Sequence, residues 1–161
     1  MSKTRIIVTI IQMLLLCSIG IAYGKDIQVS NRDFEFNINK IDYGLKKVFF
    51  YGGQVSISAR KGEMFIVIKG TLKPKTNKIN HSIILEDYHI KSNGNKEWTA
   101  FQCDAISSNV SKEVIKGDGY LTFKSTLFPL EIILYFSVEE TDNVEFFISD
   151  GIPVIISKDM Y

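Results

Sequence analysis

Apolar residues recur at every second position along most of this chain and almost nowhere at every third or fourth. That regularity excludes more folds than any other feature. Phe34, Phe36 and Ile38 alternate with Glu35, Asn37 and Asn39, the pattern of a strand with one buried face. Val55, Ile57 and Ala59 alternate in the same way. Ile41 falls out of phase with Ile38, which predicts a bulge or a strand end there. Met64 to Ile68 is apolar without interruption, as expected of a central strand covered on both faces. No clean helical stripe extends beyond about three turns.

Turn residues punctuate the strands. Arg60-Lys61-Gly62-Glu63 reads as a turn, and Thr71 to Asn80 as a polar connection holding Pro74. Ile83 to Ile90 reads as one strand. Asn93-Gly94 follows it and predicts a tight type I′ hairpin, with Trp98 to Gln102 as the returning strand. Ser107 to Gly119 reads as a loop with room for one helical turn. Tyr120 to Phe123 and Leu130 to Val138 are further strands, the second preceded by Pro129. Glu139 to Asn143 reads as a hairpin turn. Val144 to Ile148 and Val154 to Ile156 form a last strand, split at Asp150-Gly151-Ile152-Pro153. Seven to nine short strands at this spacing imply an all-β fold, an antiparallel β-sandwich; the paired cysteines of an antibody-type domain are absent, so an immunoglobulin-like character would be one of architecture only.

The first 24 residues stand apart. Lys3 and Arg5 precede the apolar run Ile6 to Ala22, and Ala22-Tyr23-Gly24 places small residues, Ala22 and Gly24, at the two positions a signal peptidase reads. This is the layout of a secretory signal peptide, so residues 1–24 are expected to be a signal and 25–161 a single β-sandwich domain. The run is just short of a spanning helix, and a retained anchor is the alternative. Lipidation at Cys17 fits less well, because Leu14-Leu15-Leu16 precede the cysteine. The expected location is secreted or periplasmic.

Cleavage would leave 137 of the 161 residues, enough for one domain burying about two-thirds of its unfolded surface. The signal holds two of the 19 basic residues and none of the 18 acidic ones, so the remaining charge is close to neutral. Nothing in that balance points to nucleic acid. Only Cys103 remains, which rules out an internal disulfide and leaves the apolar core to hold the fold. Its neighbours Ala100 and Phe101 mark it as a buried small hydrophobe, with a reactive thiol as the alternative.

One order of features resembles a known family. Ile38-Asn39-Lys40-Ile41-Asp42-Tyr43-Gly44 precedes a variable insert, and Lys61 to Leu72 follows as a glycine-led apolar strand. Ile84 to Ile90 then runs into Asn93-Gly94-Asn95-Lys96-Glu97-Trp98, and Leu134-Tyr135-Phe136-Ser137-Val138 comes late. This order is similar to the telokin-like, immunoglobulin-fold domains of exported bacterial proteins, a family of unknown function. The resemblance spans roughly residues 34–157. It implies an extracytoplasmic binding or accessory domain and carries over no catalytic residue. Thr71 to Asn80 lacks the family's short asparagine-rich turn, and Glu139 stands where proline is usual.

No motif brings chemistry of its own. The chain has two histidines, His81 and His89. They are expected at the surface, about 26 Å apart along one extended strand, too far to share a metal. No zinc spacing occurs. No serine sits in a distinctive setting, and Cys103 with His89 and Asp87 makes a nucleophile–base–acid trio on paper alone. Glu86 and Asp87 would point to opposite strand faces, unlike the facing carboxylates of a glycosidase. Asp142-Asn143 and Asp118, near Gly117 and Gly119, are too sparse for a calcium loop. Gly52-Gly53 leads into no helix and makes no phosphate cradle. Asn80-His81-Ser82 and Asn109-Val110-Ser111 match the glycosylation acceptor, relevant only in a eukaryote.

No catalytic, cofactor-binding or metal-ligating residue is therefore expected, and no cofactor. Phe49-Phe50-Tyr51 reads first as a short strand buried against the sandwich, with an exposed contact patch as the alternative. The expected function is an exported, non-catalytic binding or accessory domain with another extracytoplasmic protein as partner. No nucleic acid, and no membrane beyond the signal segment, is expected to take part. The alternatives are a structural or assembly subunit of a cell-surface structure and, further off, a small hydrolase.

Overall fold

In the computed structural model the run Met64–Ile68 lies in a long central strand, and both of its faces are buried. The structure describes residues 27–50, 53–92, 96–106, 115–117, 120–124 and 128–160. In chain order the strands are β1 (Ile27–Ser30), β2 (Phe34–Leu45), β3 (Lys47–Phe50), β4 (Val55–Ser58), β5 (Glu63–Pro74), β6 (Asn80–Ile84) and β7 (Tyr88–Ser92). They continue as β8 (Glu97–Thr99), β9 (Gln102–Ile106), β10 (Ile115–Gly117), β11 (Tyr120–Lys124), β12 (Leu130–Glu139), β13 (Asn143–Ile148) and β14 (Val154–Ser157). The signal-peptide and lipidation expectations lie outside the described residues.

All pairings are antiparallel. One sheet has the order β1-β2-β5-β12-β9. Against its inner face stand a four-stranded sheet, β14-β13-β7-β8, and a three-stranded sheet, β10-β11-β6. A separate hairpin, β3-β4, covers part of the outer face of the five-stranded sheet. The all-β sandwich is thus two layers with a local third.

Alternation sends Met64, Ile66, Ile68 and Leu72 of β5 into the main core, while Phe65 and Val67 join a smaller outer cluster with Val48, Phe50 and Tyr135. The bulge expected near Ile41 is real. Ile38 pairs with Gly70 and Lys40 with Lys69, so Asn39 is the extra residue. It resets the phase and turns Ile41 inward beside Ile38. The turn at Arg60–Glu63 is also present, closed by Glu63 N–H donating to Arg60 C=O at 3.0 Å, with Gly62 at φ +80°. A β-carbon there would be strained.

Several sequence boundaries need correction, mostly because the chain changes sheet without an obvious breaker. The connection expected at Thr71 to Asn80 is shorter: β5 runs on to Pro74 against β2. Ile83 to Ile90 is two strands, not one. A 3-10 turn at Leu85–Asp87 carries the chain from β6 to β7, in different sheets. Trp98 to Gln102 also splits, because β8 pairs with β7 and β9 with β12.

Glu139 to Asn143 does not make a hairpin; it crosses from β12 in one sheet to β13 in the other. Val144–Ile148 and Val154–Ile156 are two antiparallel neighbours rather than one split strand. Part of the Ser107–Gly119 loop is the strand β10. The described residues hold fourteen strands, above the seven to nine expected.

The β7-β8 hairpin is present, but its register differs from the expected type I′ turn. Lys91 pairs with Glu97, and Ser92 N–H donates to Lys96 C=O at 2.9 Å. This leaves three residues, 93–95, in the connection, whereas a two-residue Asn93-Gly94 turn would pair Ser92 with Asn95. Residues 93–95 themselves lie outside the described set.

Candidate functional site

The outer face of the five-stranded sheet owes its shape to the β3-β4 hairpin. Gly44, at φ +74°, lies near the end of β2, and the chain folds back over the sheet at Lys46. Ala59 N–H donates to Lys46 C=O at 2.8 Å and closes the base of the hairpin. Val48 and Phe50 point inward and are buried. The Phe50 ring stands edge-on to Tyr135, with centroids 4.7 Å apart, and to Phe101 at 5.9 Å. Such aromatic pairs add about 1 kcal/mol each beyond area burial. The Tyr135 hydroxyl donates to Asp104 Oδ2 at 3.2 Å and approaches Phe49 C=O at 3.4 Å, which latches β3 over β12.

The opposite side of the hairpin faces solvent. Phe49 is 56% exposed, and Lys47 Nζ lies 5.1 Å from its ring centroid. Their register partners Ser56 and Ser58 are exposed as well. The alternation of Val55 and Ile57 does not bury them, contrary to what the pattern alone suggests. They share a face with Phe50 and Val48, but both remain nearly half-exposed. Cover from the sheet therefore reaches β3 and stops short of β4. The aromatic run is divided between the two readings: Phe50 is core, as a buried strand requires, Phe49 is surface, and Tyr51 lies outside the described residues.

Phe101, Tyr135 and Asp104 also build this face, and sequence reading did not single them out. They come from two distant strands and one sheet crossing, so no local pattern links them to Phe49.

Burial pushes the Tyr135 hydroxyl pKa up, helped by the charge of Asp104 and the hydrogen bond donated to it. Burial likewise pushes up the Cys103 thiol, with the Asp104 charge second. Tyr88, fully buried, is raised well above its ordinary 10.0, chiefly by burial. The neutral form is favoured in each case, so the folded state holds protons that the unfolded chain releases as pH rises. Stability from these groups is intact below their ordinary values of 9.0 for the thiol and 10.0 for the phenols, and is lost above them. The urea midpoint should therefore fall as pH climbs from about 9 to 11. Tyr88→Phe with Cys103→Ala should flatten that fall. An equally steep fall in the double variant would contradict the assignment.

Cys103 is thus a buried, protonated thiol, as its apolar neighbours suggested. The Cys103–His89–Asp87 trio is not assembled. Asp87 Oδ1 accepts from Ser149 Oγ at 2.8 Å, and His89 stacks on Phe147 at 5.0 Å. His89 Nδ1 lies 2.7 Å from Glu97 Oε1, close enough for an ion pair but short of hydrogen-bond alignment.

His81 is not at the surface. It is 3% exposed, because β6 alternates with His81 and Ile83 inward. Its ring packs edge-on to Phe34 at 5.8 Å and Phe128 at 5.2 Å, and its Nε2 has no hydrogen-bond partner. His81 and His89 therefore sit on different strands of different sheets. Glu86 and Asp87 lie on the 3-10 turn rather than on a strand. Asn80 is exposed on β6, whereas Asn109 and Asp118 fall outside the described residues. No group of three His, Cys, Asp or Glu among the described residues is placed to hold a metal ion. No helix among them is long and apolar enough to cross a membrane.

A cleft of about 400 Å³ opens at the end of the sandwich, lined by Tyr43, Met64, Glu140, Asp142 and Lys158 among others. The Tyr43 hydroxyl donates to Thr141 C=O at 3.0 Å. Its pKa is pushed up to about 12 by burial and by the Asp142 charge. Lys46 is held there by Glu140 and by Glu63 C=O. The Tyr43–Thr141 and Lys46–Glu140 contacts tie this end of the sandwich together.

No family model matches this chain, and no curated protein does. Two solved structures are similar in fold. One is an uncharacterized β-sandwich protein from Clostridium difficile 630, with 12% identity and a TM-score of 0.49, covering 84% of this chain and 92% of the other. The second is a candidate lipoprotein, ycdA, from Bacillus subtilis, with 12% identity and a TM-score of 0.44. That match covers 83% of this chain and 39% of ycdA. At this identity the likeness is one of architecture.

Proposed function

We propose that this β-sandwich is a non-catalytic binding or accessory module that works outside the cytoplasm. Its contact surface is the hairpin-covered outer face of the five-stranded sheet. One observation carries the reading: the hairpin is latched onto the sheet by Phe50, Tyr135 and Asp104, yet it holds Phe49 56% exposed on its far side. A rigid strand presenting an exposed aromatic ring is a low-entropy anchor for a partner. The N-terminal layout of residues 1–24 supports export, and the order of motifs from residue 34 to 157 supports a telokin-like affiliation.

The test is capture of a defined partner from native extracts by the immobilised protein. Phe49→Ala should cut capture roughly tenfold, the loss of one interface anchor, with an unchanged melting temperature. Undiminished capture would remove this face as the site, and reproducible turnover by the purified protein would defeat the non-catalytic reading.

An assembly subunit is the second reading, favoured by the β14 edge. β14 pairs only with β13 among the described strands and carries no charged residue. Ile155 is 65% exposed and Ile152, just before the strand, 83%. Edges left this apolar are templates for strand pairing. Self-association at micromolar concentration that Ile155→Lys abolishes would favour this reading over the first.

A further inference from the structure

The hairpin at the proposed contact face is strongly biased in charge. From Tyr43 to Gly62 the chain has Lys46, Lys47, Arg60 and Lys61 and no acidic residue. Folding brings these cations together. Lys47 opens β3 and pairs with Ser58, and Arg60 and Lys61 follow just beyond. Lys46 is neutralised by Glu140. Glu139, the other acid at the β12 end, is engaged by Lys96. Lys47, Arg60 and Lys61 have no ion-pair partner among the described residues, and Arg60 and Lys61 are exposed. Phe49, on the same outward face of β3 as Lys47, is exposed.

We infer that this face docks onto an anionic lipid bilayer. The complementarity has two parts. Unpaired lysine and arginine are drawn to the negative potential of anionic headgroups, and each contributes substantially at the surface. An aromatic ring seats at the headgroup boundary, where one side is apolar and the other wet. The Lys47–Phe49 contact holds both elements on one short strand. Residues 43–62 carry no carboxylate, and the nearby ones are already engaged: Asp104 accepts from Tyr135 and Gln102, and Asp42 is paired with Lys40 and Lys69. The sequence pattern, read linearly, suggests no membrane contact beyond residues 1–24. The gathering of cations at the base of a folded hairpin changes that expectation.

The inference rests on the proposed contact face and names its partner. The protein as purified from its host is mixed with vesicles of equal parts phosphatidylglycerol and phosphatidylcholine, or of phosphatidylcholine alone, and bound protein is read by flotation. The expected result is strong preference for the anionic vesicles, lost at about 1 M salt, where the screening length falls to ~3 Å. Lys47→Glu/Arg60→Glu/Lys61→Glu should reduce anionic binding on the order of a hundredfold. Phe49→Ala should reduce it several-fold, with the melting temperature unchanged in both. Lys61→Glu alone, in an exposed turn, gives a milder loss and stands in if the triple variant does not fold.

Equal binding to neutral and anionic vesicles would overturn the inference, as would anionic binding that survives the triple substitution. If vesicles are ignored while Phe49-dependent capture of a protein persists, the lipid assignment fails and the contact face stands. If neither occurs, both fail.

Discussion

Gly70→Ala should destabilise the protein by about 3 kcal/mol or more, enough to unfold a domain of marginal stability. Gly70 lies mid-way along β5 on its inner face, opposite Ile38. A β-carbon there would fall 2.4 Å from Asn37 C=O and 2.6 Å from two atoms of the Phe36 ring. The carbonyl belongs to the β2-β5 ladder, and the ring is fully buried between the sheets. Neither can give way without opening the ladder or the core. Urea denaturation of the purified variant measures the loss. A cost below about 1 kcal/mol would mean that the Phe36 ring does not lie over this strand.

Phe146→Ala should cost about 3–5 kcal/mol, as for other large aromatics removed from a closed core. Phe146 is wholly buried on β13, and its ring meets Phe36 at 6.1 Å and Phe136 at 6.0 Å. Those two rings belong to β2 and β12 of the facing sheet, so Phe146 is where the layers interlock. Its neighbour Phe147 points the other way and stacks on His89 at the outer surface. Phe147→Ala should cost about 1 kcal/mol. The contrast between adjacent residues tests the alternation directly, and equal losses would show that β13 is misassigned in phase.

Alternation made the strands and their faces legible in the sequence. The double-sided burial of Met64–Ile68, the bulge before Ile41 and the turn at Gly62 follow from residue order alone. Sheet membership does not. At Leu85–Asp87, at Ala100-Phe101 and at Glu140–Asp142 the chain passes from one sheet to another within two or three residues. None of these crossings contains glycine or proline, so each reads as strand continuation or as a hairpin.

The burial of His81 escapes the sequence for a related reason. Histidine is polar by type, but the phase of β6 sets it inward with Ile83. At the contact face, Phe49 stood out as part of an aromatic run. Its split from Phe50 needed the register of β3 against β4. Tyr135 and Asp104, which hold the hairpin down, are brought there only by the pairing of β12 with β9.

The contact face is tested most directly by a photoreactive benzophenone side chain placed at position 49 in the native host. Such a group inserts into C–H bonds of protein or lipid within reach. Illumination should give a defined adduct from position 49 and none from position 97, which is exposed on the opposite sheet. No adduct from position 49, or equal labelling from both positions, would contradict the account.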